Sequence, residues 1–237
     1  MNDRFSRTEA LIGKEAMEKI AGSTVCIFGI GGVGSFALEA IVRAGVGHVI
    51  IADYAVVDKT NINRQLIALK STVGIMKTQV AVTRMKDINP DISITAFDDF
   101  VNFENIFKII PPNTDYIIDA IDYVPSKLDL IEYASENNIP IICCMGTGNK
   151  LHPEKLRISD IFKTSVDPLA RVMRSELKKR GIKKLKVVWS DEIPAISGGQ
   201  LPVNKDGKKV PASISFVPSV AGLLLSSEVV NHLADIK

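Results

Sequence analysis

The residues of this chain best suited to chemistry begin with three glycines behind a predicted buried strand. Gly29, Gly31 and Gly34 follow the spacing G-x-G-x-x-G, and residues 24–28 before them are β-branched and apolar without alternation. Such glycines permit a sharp strand-to-helix turn, approach of a ligand to the backbone, and close packing of the helix on the strand. The start of the following helix offers unpaired N–H groups to an anion. The spacing therefore predicts a nucleotide site.

An acidic residue extends this predicted site. A second buried strand, residues 48–52, ends at Asp53, roughly 20 residues past the glycines, where a carboxylate can meet a ribose hydroxyl. The glycine spacing alone does not identify the nucleotide, and NAD would be the usual interpretation. A tight turn that binds nothing is the structural alternative.

Four polar side chains further along the chain favour ATP: Asn61, Arg64, Lys77 and Asp122. Hydride transfer needs no group of cations, whereas attack of a carboxylate on ATP requires positive donors around the α-phosphate. Arg64 suits bidentate contact with phosphate oxygens, and Lys77 supplies a point charge. Asp122 suits a Mg²⁺ ion held largely by phosphates and water. Each residue alone could be a surface charge, but their order behind the glycines indicates a site.

Residues 150–186 form a basic segment, with twelve basic and four acidic side chains in a chain whose formal net charge is +2. Within it, a helix is predicted over residues 168–180. We expect its apolar stripe to be buried: Leu169, Val172, Met173 and Leu177. Arg171, Arg174 and Lys178 share another face, which we expect to point outward. By charge alone, this face fits a polyanionic partner and a solvated helix equally well.

The elements that must position these residues alternate along the chain. Strands are predicted at residues 24–28, 48–52, 93–97, 115–122 and 140–144, and helices at 35–44, 78–88, 105–110 and 127–137. This alternation predicts an α/β fold of the Rossmann-like, doubly wound type with a mainly parallel sheet. The fourth strand would end at Asp122, on the carboxyl edge where such sheets bind ligands.

We expect one adenylating domain of four consecutive parts. These are an N-terminal helical arm (1–23), a nucleotide-binding core (24–149), a basic insert with a lid loop at 197–212 (150–212), and a closing strand and helix (213–237). The last apolar stretch, residues 214–230, is shorter than the ~20 residues of a membrane span and contains Pro218 and Gly222. We therefore expect a packed helix and no membrane span.

Composition narrows the class of protein. The chain has 237 residues, of which 46% are hydrophobic, enough for a large core. Its three cysteines form no C-x-x-C pair, so neither a zinc knuckle nor a disulfide framework is predicted. The first residues lack the features of a signal or transit peptide, which predicts a cytoplasmic protein.

Taken together, these motifs resemble the adenylating core of the ubiquitin-activating superfamily. The resemblance rests on Gly29-x-Gly31-Gly32-x-Gly34, Asp53, Asn61-x-x-Arg64-Gln65, Lys77 and Asp122. Further motifs resemble one subfamily, the tRNA threonylcarbamoyladenosine dehydratases: Asn61-Ile62-Asn63-Arg64-Gln65, Asn89-Pro90, Asp98-Asp99-Phe100, Asp119-Ala120-Ile121-Asp122 and Asp167-Pro168-Leu169. Members that activate sulfur carriers generally have two C-x-x-C zinc pairs, which this chain lacks. The basic segment stands in their place.

The resemblance implies an enzyme that uses ATP and Mg²⁺ to adenylate a threonyl carboxylate beside the tRNA anticodon, followed by ring closure that expels AMP. It implies ATP contacts for one set of residues: Gly29, Gly31, Gly32, Gly34, Asp53, Asn61, Arg64, Gln65, Lys77 and Asp122. Arg7, Arg64, Lys77 and Asp122 would be catalytic, with Asp122 at the metal. The tRNA would be bound by Arg171, Arg174 and Lys178.

The same resemblance implies a homodimer in which an N-terminal arginine reaches the partner subunit's site. Arg7 matches that position, with Arg4 as the alternative, and an accessory protein of sulfur-transfer type is a further expected partner. Two other functions stay open: activation of a ubiquitin-like carrier protein, and an NAD-dependent oxidoreductase.

Overall fold

The computed structural model describes residues 4–195, 203, 207 and 210–236, and its centre is a single sheet. The strands are β1 (Thr24–Phe28), β2 (His48–Ala52), β3 (Ser93–Phe97), β4 (Tyr116–Asp119), β5 (Ile141–Cys144), β6 (Leu156–Asp160) and β7 (Lys186–Ser190). They form a seven-stranded sheet in the order β3-β2-β1-β4-β5-β7-β6. All neighbours are parallel except β6, which is antiparallel to β7 at the edge. The predicted fold class is confirmed.

Eight α-helices connect and cover these strands in the described part of the chain. They are α1 (Ser6–Ile12), α2 (Lys14–Gly22), α3 (Gly34–Ala44), α4 (Lys77–Ile88), α5 (Ile106–Ile109), α6 (Val124–Glu136), α7 (Pro168–Lys179) and α8 (Phe216–Leu233). Short 3₁₀ turns lie at Lys59–Asn61, Lys70–Thr72, Pro153–Lys155 and Ile161–Lys163.

The apolar runs of the strands are explained by helices on both faces of the sheet. In β1, Val25 and Ile27 pack into the core beneath α3, α4 and α8, while Cys26 and Phe28 face the opposite core, beside α5 and α6. A strand covered on both sides needs no polar positions, so the alternation typical of a half-exposed strand is absent. A third core lies between α6, α7 and β7.

The predicted boundaries of β4 and α6 need correction. We predicted the strand to run to Asp122, but it ends at Asp119, and α6 begins at Val124 instead of residue 127. The chain turns after Asp119 because the Asp119 Oδ1 atom accepts a hydrogen bond from the backbone N–H of Ile121 (3.0 Å). Asp122 therefore lies in the turn between β4 and α6.

The predicted buried stripe of α7 was also partly wrong. Its buried face consists of Ala170, Met173 and Leu177, whereas Val172 is 45% exposed. Small Ala170 lets this face approach the core, and Val172 lies about 100° around the helix from Met173. The stripe is therefore rotated from the one we predicted.

The closing segment consists of α8, with no strand in the described residues 213–236. This helix is the one in the described chain that is long and apolar enough to cross a membrane by length and composition alone. It packs on α3, with Ala221, Leu225 and Val229 buried, and the Ser226 hydroxyl donates to the Ala37 carbonyl (3.0 Å). It is the packed helix that we predicted. The lid predicted at residues 197–212 lies largely outside the described residues.

Candidate active site

The glycine turn after β1 has a geometry that side chains would prevent. Gly29 has a φ of +84°, and a Cβ atom there would lie 2.8 Å from the carbonyl oxygen of Ala120. A Cβ atom on Gly34 would lie 1.8 Å from the carbonyl oxygen of Gly29. Glycine at both positions therefore allows the start of α3 to pack directly on the end of β1.

A cavity of about 290 Å³ opens beside this turn, at the carboxyl ends of β1, β2 and β4. Most of the predicted ATP-binding residues line it: Gly29, Gly31, Gly32, Asp53, Arg64, Gln65, Lys77 and Asp122. Gly34 and Asn61 are absent from the lining. Gly34 supports the turn from behind.

Asp53 contacts the glycine turn directly. Its two carboxylate oxygens accept hydrogen bonds from the backbone N–H groups of Ile30 (2.7 Å) and Ala55 (2.9 Å). The carboxylate thus fixes the turn, a role that the sequence did not predict. Its remaining lone pairs can still accept a ribose hydroxyl.

Two cations lie in this lining. Lys77, buried at the first position of α4, has its Nζ atom 3.7 Å from a carboxylate oxygen of Asp53. Arg64 is half-buried, and its Nη1 atom donates to the Thr60 carbonyl and to the Asn63 side-chain oxygen, both at 3.0 Å. Both cations are therefore held in place before an anion arrives.

Gln65 has an unsatisfied group at the cavity. The residue is 7% exposed, and its buried Oε1 atom has no hydrogen-bond partner among the described residues. Its Nε2 atom would lie 3.8 Å from a Cβ atom on Gly31. Because an unpaired buried amide oxygen is costly, this side chain is suited to a polar ligand beside the glycine turn.

Asn61 has a structural contact instead of a place in the lining. Its side-chain oxygen accepts the backbone N–H of Asp58 (3.0 Å), while Asp58 accepts the N–H of Thr60 (2.8 Å). This reciprocal capping closes the 3₁₀ turn that leads to Arg64. Contact between Asn61 and ATP stays a prediction.

Asp122 is exposed in the turn after β4 and lines the cavity. The described residues contain no group of three or more His, Cys, Asp or Glu side chains that could hold a metal ion. A single carboxylate nevertheless fits Mg²⁺, which usually retains waters and takes its other ligands from substrate phosphates.

A buried ion pair supports the turn that carries Asp122. The Lys127 Nζ atom lies 2.7 Å from an oxygen of Asp119, both side chains being fully buried, and donates to the carbonyls of Ile121 (3.0 Å) and Cys144 (2.9 Å). Burial by itself would lower the pKa of Lys127, but the charge of Asp119 and its hydrogen bond, together with neighbouring Cys143 and Cys144, outweigh burial and raise the pKa. Lys127 therefore remains charged and holds the turn.

Three aromatic residues in the lining were missed from the sequence. Tyr54, Phe100 and Tyr123 form edge-to-face pairs, with ring centroids 5.1 and 5.5 Å apart. Each directly follows an acidic residue beyond the end of a parallel strand. That repeated acid–aromatic pair is the signal that could have revealed them. Exposed rings of this kind can stack on a nucleobase.

The two candidate N-terminal arginines differ in their contacts. The Nη1 atom of Arg4 donates to the side chains of Asn89 (2.6 Å) and Asp91 (2.9 Å) of its own chain. Arg7 is exposed, does not line the cavity, and makes no hydrogen bond or ion pair with the described residues. Arg7 is therefore free for another contact, although its action in a partner's site stays a prediction.

None of the three cysteines is suited to act as a nucleophile. All are buried, and burial raises the pKa of Cys26 and of Cys144 to about 12. Burial also raises the pKa of Cys143 well above its ordinary value. Since the thiolate is the reactive form, these side chains are inert in the folded protein.

The basic face of α7 is less uniform than we predicted. Arg171 and Lys178 are exposed, and the Lys178 Nζ atom lies 6.0 Å from the centre of the Phe162 ring. Arg174 is half-buried and donates to the Thr164 hydroxyl, so it does not point outward with the other two. The exposed charge of this face therefore comes from Arg171 and Lys178.

Comparison with known proteins shows matches along nearly the whole chain. The ThiF family profile matches residues 5–236. The tRNA threonylcarbamoyladenosine dehydratase of Bacillus subtilis (strain 168) is 43% identical over 98% of this chain and 95% of that protein. The E. coli tRNA N6-threonylcarbamoyladenosine dehydratase TcdA in complex with ATP has a TM-score of 0.90 at 33% identity, covering 98% of this chain and 94% of that one. The sulfur carrier protein ThiS adenylyltransferase of B. subtilis is 34% identical over only 62% of this chain and 45% of that protein.

Proposed function

This chain belongs to the ThiF family, and we propose that its cavity binds ATP and adenylates the threonyl carboxylate of threonylcarbamoyladenosine beside the tRNA anticodon. It is thus an ATP-dependent tRNA threonylcarbamoyladenosine dehydratase, like the relatives that match nearly its whole length. The observation that carries this proposal is that Arg64 and Lys77 line the same cavity as the glycine turn. Hydride transfer to NAD would leave both cations without a role.

The reaction has two steps. In the first, an oxygen of the threonyl carboxylate attacks the α-phosphorus of ATP, and pyrophosphate leaves. In the second, the carbamoyl group attacks the activated carbonyl carbon and loses a proton, so a ring closes and AMP leaves with the former carboxylate oxygen. The nucleoside has then lost the elements of water. Adenylation is needed because oxide is a poor leaving group, whereas a phosphate ester is a good one.

The cations act in the first step. Arg64 and Lys77 neutralise charge that develops around the α-phosphate, and because their neighbours hold them in place, little reorganisation is needed. Asp53 binds the ribose, and Gln65 contacts the nucleotide beside Gly31. Asp122 would hold Mg²⁺, which supplies charge neutralisation on the phosphates when bound.

The tRNA contacts the basic face of α7. Arg171 and Lys178 offer exposed charge to backbone phosphates, and Arg174 supports the same face from beneath. The enzyme acts in the cytoplasm, where its three free thiols remain reduced.

The functional unit is a homodimer, in which Arg7 of each subunit reaches the cavity of the other. Arg7 makes no hydrogen bond or ion pair with the described residues of its own chain, which supports this arrangement. An accessory protein of sulfur-transfer type assists the reaction.

The deciding experiment offers the enzyme each candidate acceptor. With Mg-ATP and tRNA that contains threonylcarbamoyladenosine, we expect AMP, pyrophosphate and a nucleoside lighter by one water. A ubiquitin-like carrier protein in place of tRNA should yield no AMP. Mg-ATP should also raise the melting temperature more than NAD does, since a ligand stabilises the protein by RT ln(1 + [L]/Kd). AMP formation with the carrier alone would contradict the proposal.

A further inference from the structure

The loop after β5, residues 145–152, contacts the cavity, the start of α7, and the chain on both sides of residues 196–209. One of its residues, Thr147, lines the ATP cavity. Its other residues bond to the start of the basic helix α7 and to the chain on both sides of residues 196–209. We refer to it below as the β5 loop.

The contact with α7 is a buried ion pair. The Lys150 Nζ atom lies 2.9 Å from Asp167 Oδ2, with side chains 1% and 0% exposed, and also donates to the Gly146 carbonyl. The other oxygen of Asp167 accepts the backbone N–H of Ala170 (2.9 Å) and so caps the helix. Gly146 is packed against the same carboxylate, because a Cβ atom there would lie 3.4 Å from Asp167 Oδ2. The first turn of α7 is therefore fastened to the residue beside Thr147.

Asn149 makes the second contact. Its backbone N–H and side-chain oxygen both bond to the backbone of Ala212 (2.8 Å each), and its carbonyl accepts the N–H of Ala195 (2.7 Å). The next residue, Ser213, lines the cavity, and its carbonyl accepts the side-chain N–H of Asn63 (3.0 Å). Asn63 in turn accepts from Arg64 (3.0 Å). Hydrogen bonds, joined by the backbone steps from Lys150 to Asn149 and from Ala212 to Ser213, thus connect the start of α7 with Arg64.

A buried ion pair of this kind is weak evidence for stability. Replacing such pairs by apolar or neutral groups is often harmless to folding, because the cost of desolvating the charges offsets their attraction. The ion pair between Lys150 and Asp167 is better explained by its effect on geometry, because it fixes the position of α7 relative to the cavity. Placement matters in catalysis, since an error of about 1 Å can cost roughly 10²-fold in rate.

We propose that Lys150 and Asn149 are positioning residues for the tRNA reaction. They hold the basic face of α7 at a fixed distance from Arg64, so that a tRNA bound to that face presents its carboxylate to the α-phosphate. This inference rests on the proposed contact between α7 and tRNA.

The test uses Lys150→Met combined with Asp167→Asn, which removes both buried charges and keeps a helix cap. We expect the affinities for Mg-ATP and for tRNA to stay within about twofold of the wild-type values. The melting temperature should stay close to that of wild type. The single-turnover rate on bound tRNA should fall tenfold or more. A rate equal to wild type would overturn the proposal, as would equal losses in ATP affinity and rate, which indicate a purely structural role.

Asn149→Ala gives a second test that creates no buried charge and applies even if the first variant does not fold. Its single-turnover rate should fall while tRNA affinity stays unchanged, and an unaffected rate would count against the proposal. Lys155→Ala, at a half-buried lysine just past the β5 loop, is the matched control and should behave as wild type.

Failure of the underlying function gives a different result. If Arg171→Ala with Lys178→Ala leaves tRNA affinity and its salt dependence unchanged, α7 does not bind tRNA and the proposed interface is wrong. If that affinity falls while the Lys150 and Asn149 variants keep the wild-type rate, the interface stands and only the positioning role fails.

Discussion

At the scale of single residues, the cavity combines opposite charges in a defined arrangement. Asp53 holds the glycine turn and lies near Lys77, while Arg64 is held by the turn before it. When a triphosphate binds, its oxygens can replace the Asp53 carboxylate as the partner of Lys77. The side chains of Arg64 and Lys77 then need little rearrangement during the reaction, which is the advantage of a preorganised site.

Substitution of these cations tests that role. Arg64→Ala and Lys77→Ala should each lower the rate of adenylation by roughly 10²-fold or more, as loss of a preorganised donor does, with a smaller effect on ATP affinity. Single-turnover AMP formation and ATP titration measure the two quantities. Arg43→Ala, which removes an exposed arginine paired with Glu39, is the control. Near-normal turnover in either cavity variant would rule out its assignment.

The thiols provide a prediction from pKa. Burial disfavours the thiolate, so at pH 8 the reactive fraction of Cys26 and Cys144, whose pKa rises to about 12, should be about 10³-fold below that of an ordinary thiol. We expect slow reaction with a thiol reagent in the folded enzyme and fast reaction after unfolding. Rapid labelling of the native protein with loss of activity would contradict this and favour a catalytic cysteine.

The sequence predicted part of this cavity and missed part of it. Strand ends of a parallel sheet share one edge, which brings Asp53 and Asp122 together, and the order of Arg64 and Lys77 behind the glycines indicated the same site. Motif spacing could not predict that Asn61 lies outside the cavity lining, since its capping contact with Asp58 depends on how a short turn closes. The aromatic lining was missed because the direction of a loop side chain has no periodic signal.

At the scale of elements, the central strands were predicted well because both of their faces are covered. β1, β2 and β3 have the predicted bounds, and the buried apolar runs of β1 and β2 end at Gly29 and Asp53. The edge strand β3 is more exposed and ends before Asp98. β4 was predicted too long because Ala120 and Ile121 are apolar, yet the Asp119 side chain turns the chain there. A side-chain contact, not residue propensity, sets that boundary.

The basic helix is tested by salt dependence. Because phosphate contacts release counterions, Arg171→Ala with Lys178→Ala should weaken tRNA binding and flatten its salt slope by up to about two phosphates, at roughly 0.7–0.9 per phosphate. Arg174 is not substituted in this variant, because its side chain donates a hydrogen bond to the Thr164 hydroxyl. Lys14→Ala with Lys108→Ala removes the same charge from α2 and α5 as the control. Equal slopes for the two double variants would mean that the face is only solvated.

Packing between α8 and α3 is tested at one glycine. A Cβ atom on Gly222 would lie 2.3 Å from the carbonyl oxygen of Val33, so Gly222→Ala must push the helices apart. We expect a loss of about 1–3 kcal/mol in the free energy of unfolding, as for other overpacked sites. Gly22→Ala, at the end of α2 with no atom within 4 Å of the new Cβ, is the control. Denaturant titration measures the free energy of unfolding of both variants. Equal values would show that α8 and α3 can move apart at little cost.

At the scale of the whole molecule, no described residue of the N-terminal arm lines the cavity of its own chain. α1 carries the exposed Arg7, and the described lining contains no residue before Gly29. An assembly of two chains would bring one subunit's arm within reach of the other's cavity. Each site would then depend on two chains.

Complementation tests this dependence. Arg7→Ala and Lys77→Ala should each be inactive, but a mixture in which subunits exchange should recover part of the activity, because some heterodimers contain one intact site. Mass spectrometry would verify that heterodimers form. Absence of recovery in their presence would give Arg7 a role within its own chain.

The place of α8 has a consequence for how the enzyme is made. The glycine turn is synthesised early, but Ser213 and Pro218, which complete the cavity, come near the end of the described chain, and α8 must dock on α3 to place Pro218 beside Gly32. A nascent polypeptide on the ribosome would therefore carry an open, unfinished nucleotide site until α8 has been synthesised. The site would close only once α8 has docked, so chains that still lack α8 would not adenylate the tRNA carboxylate.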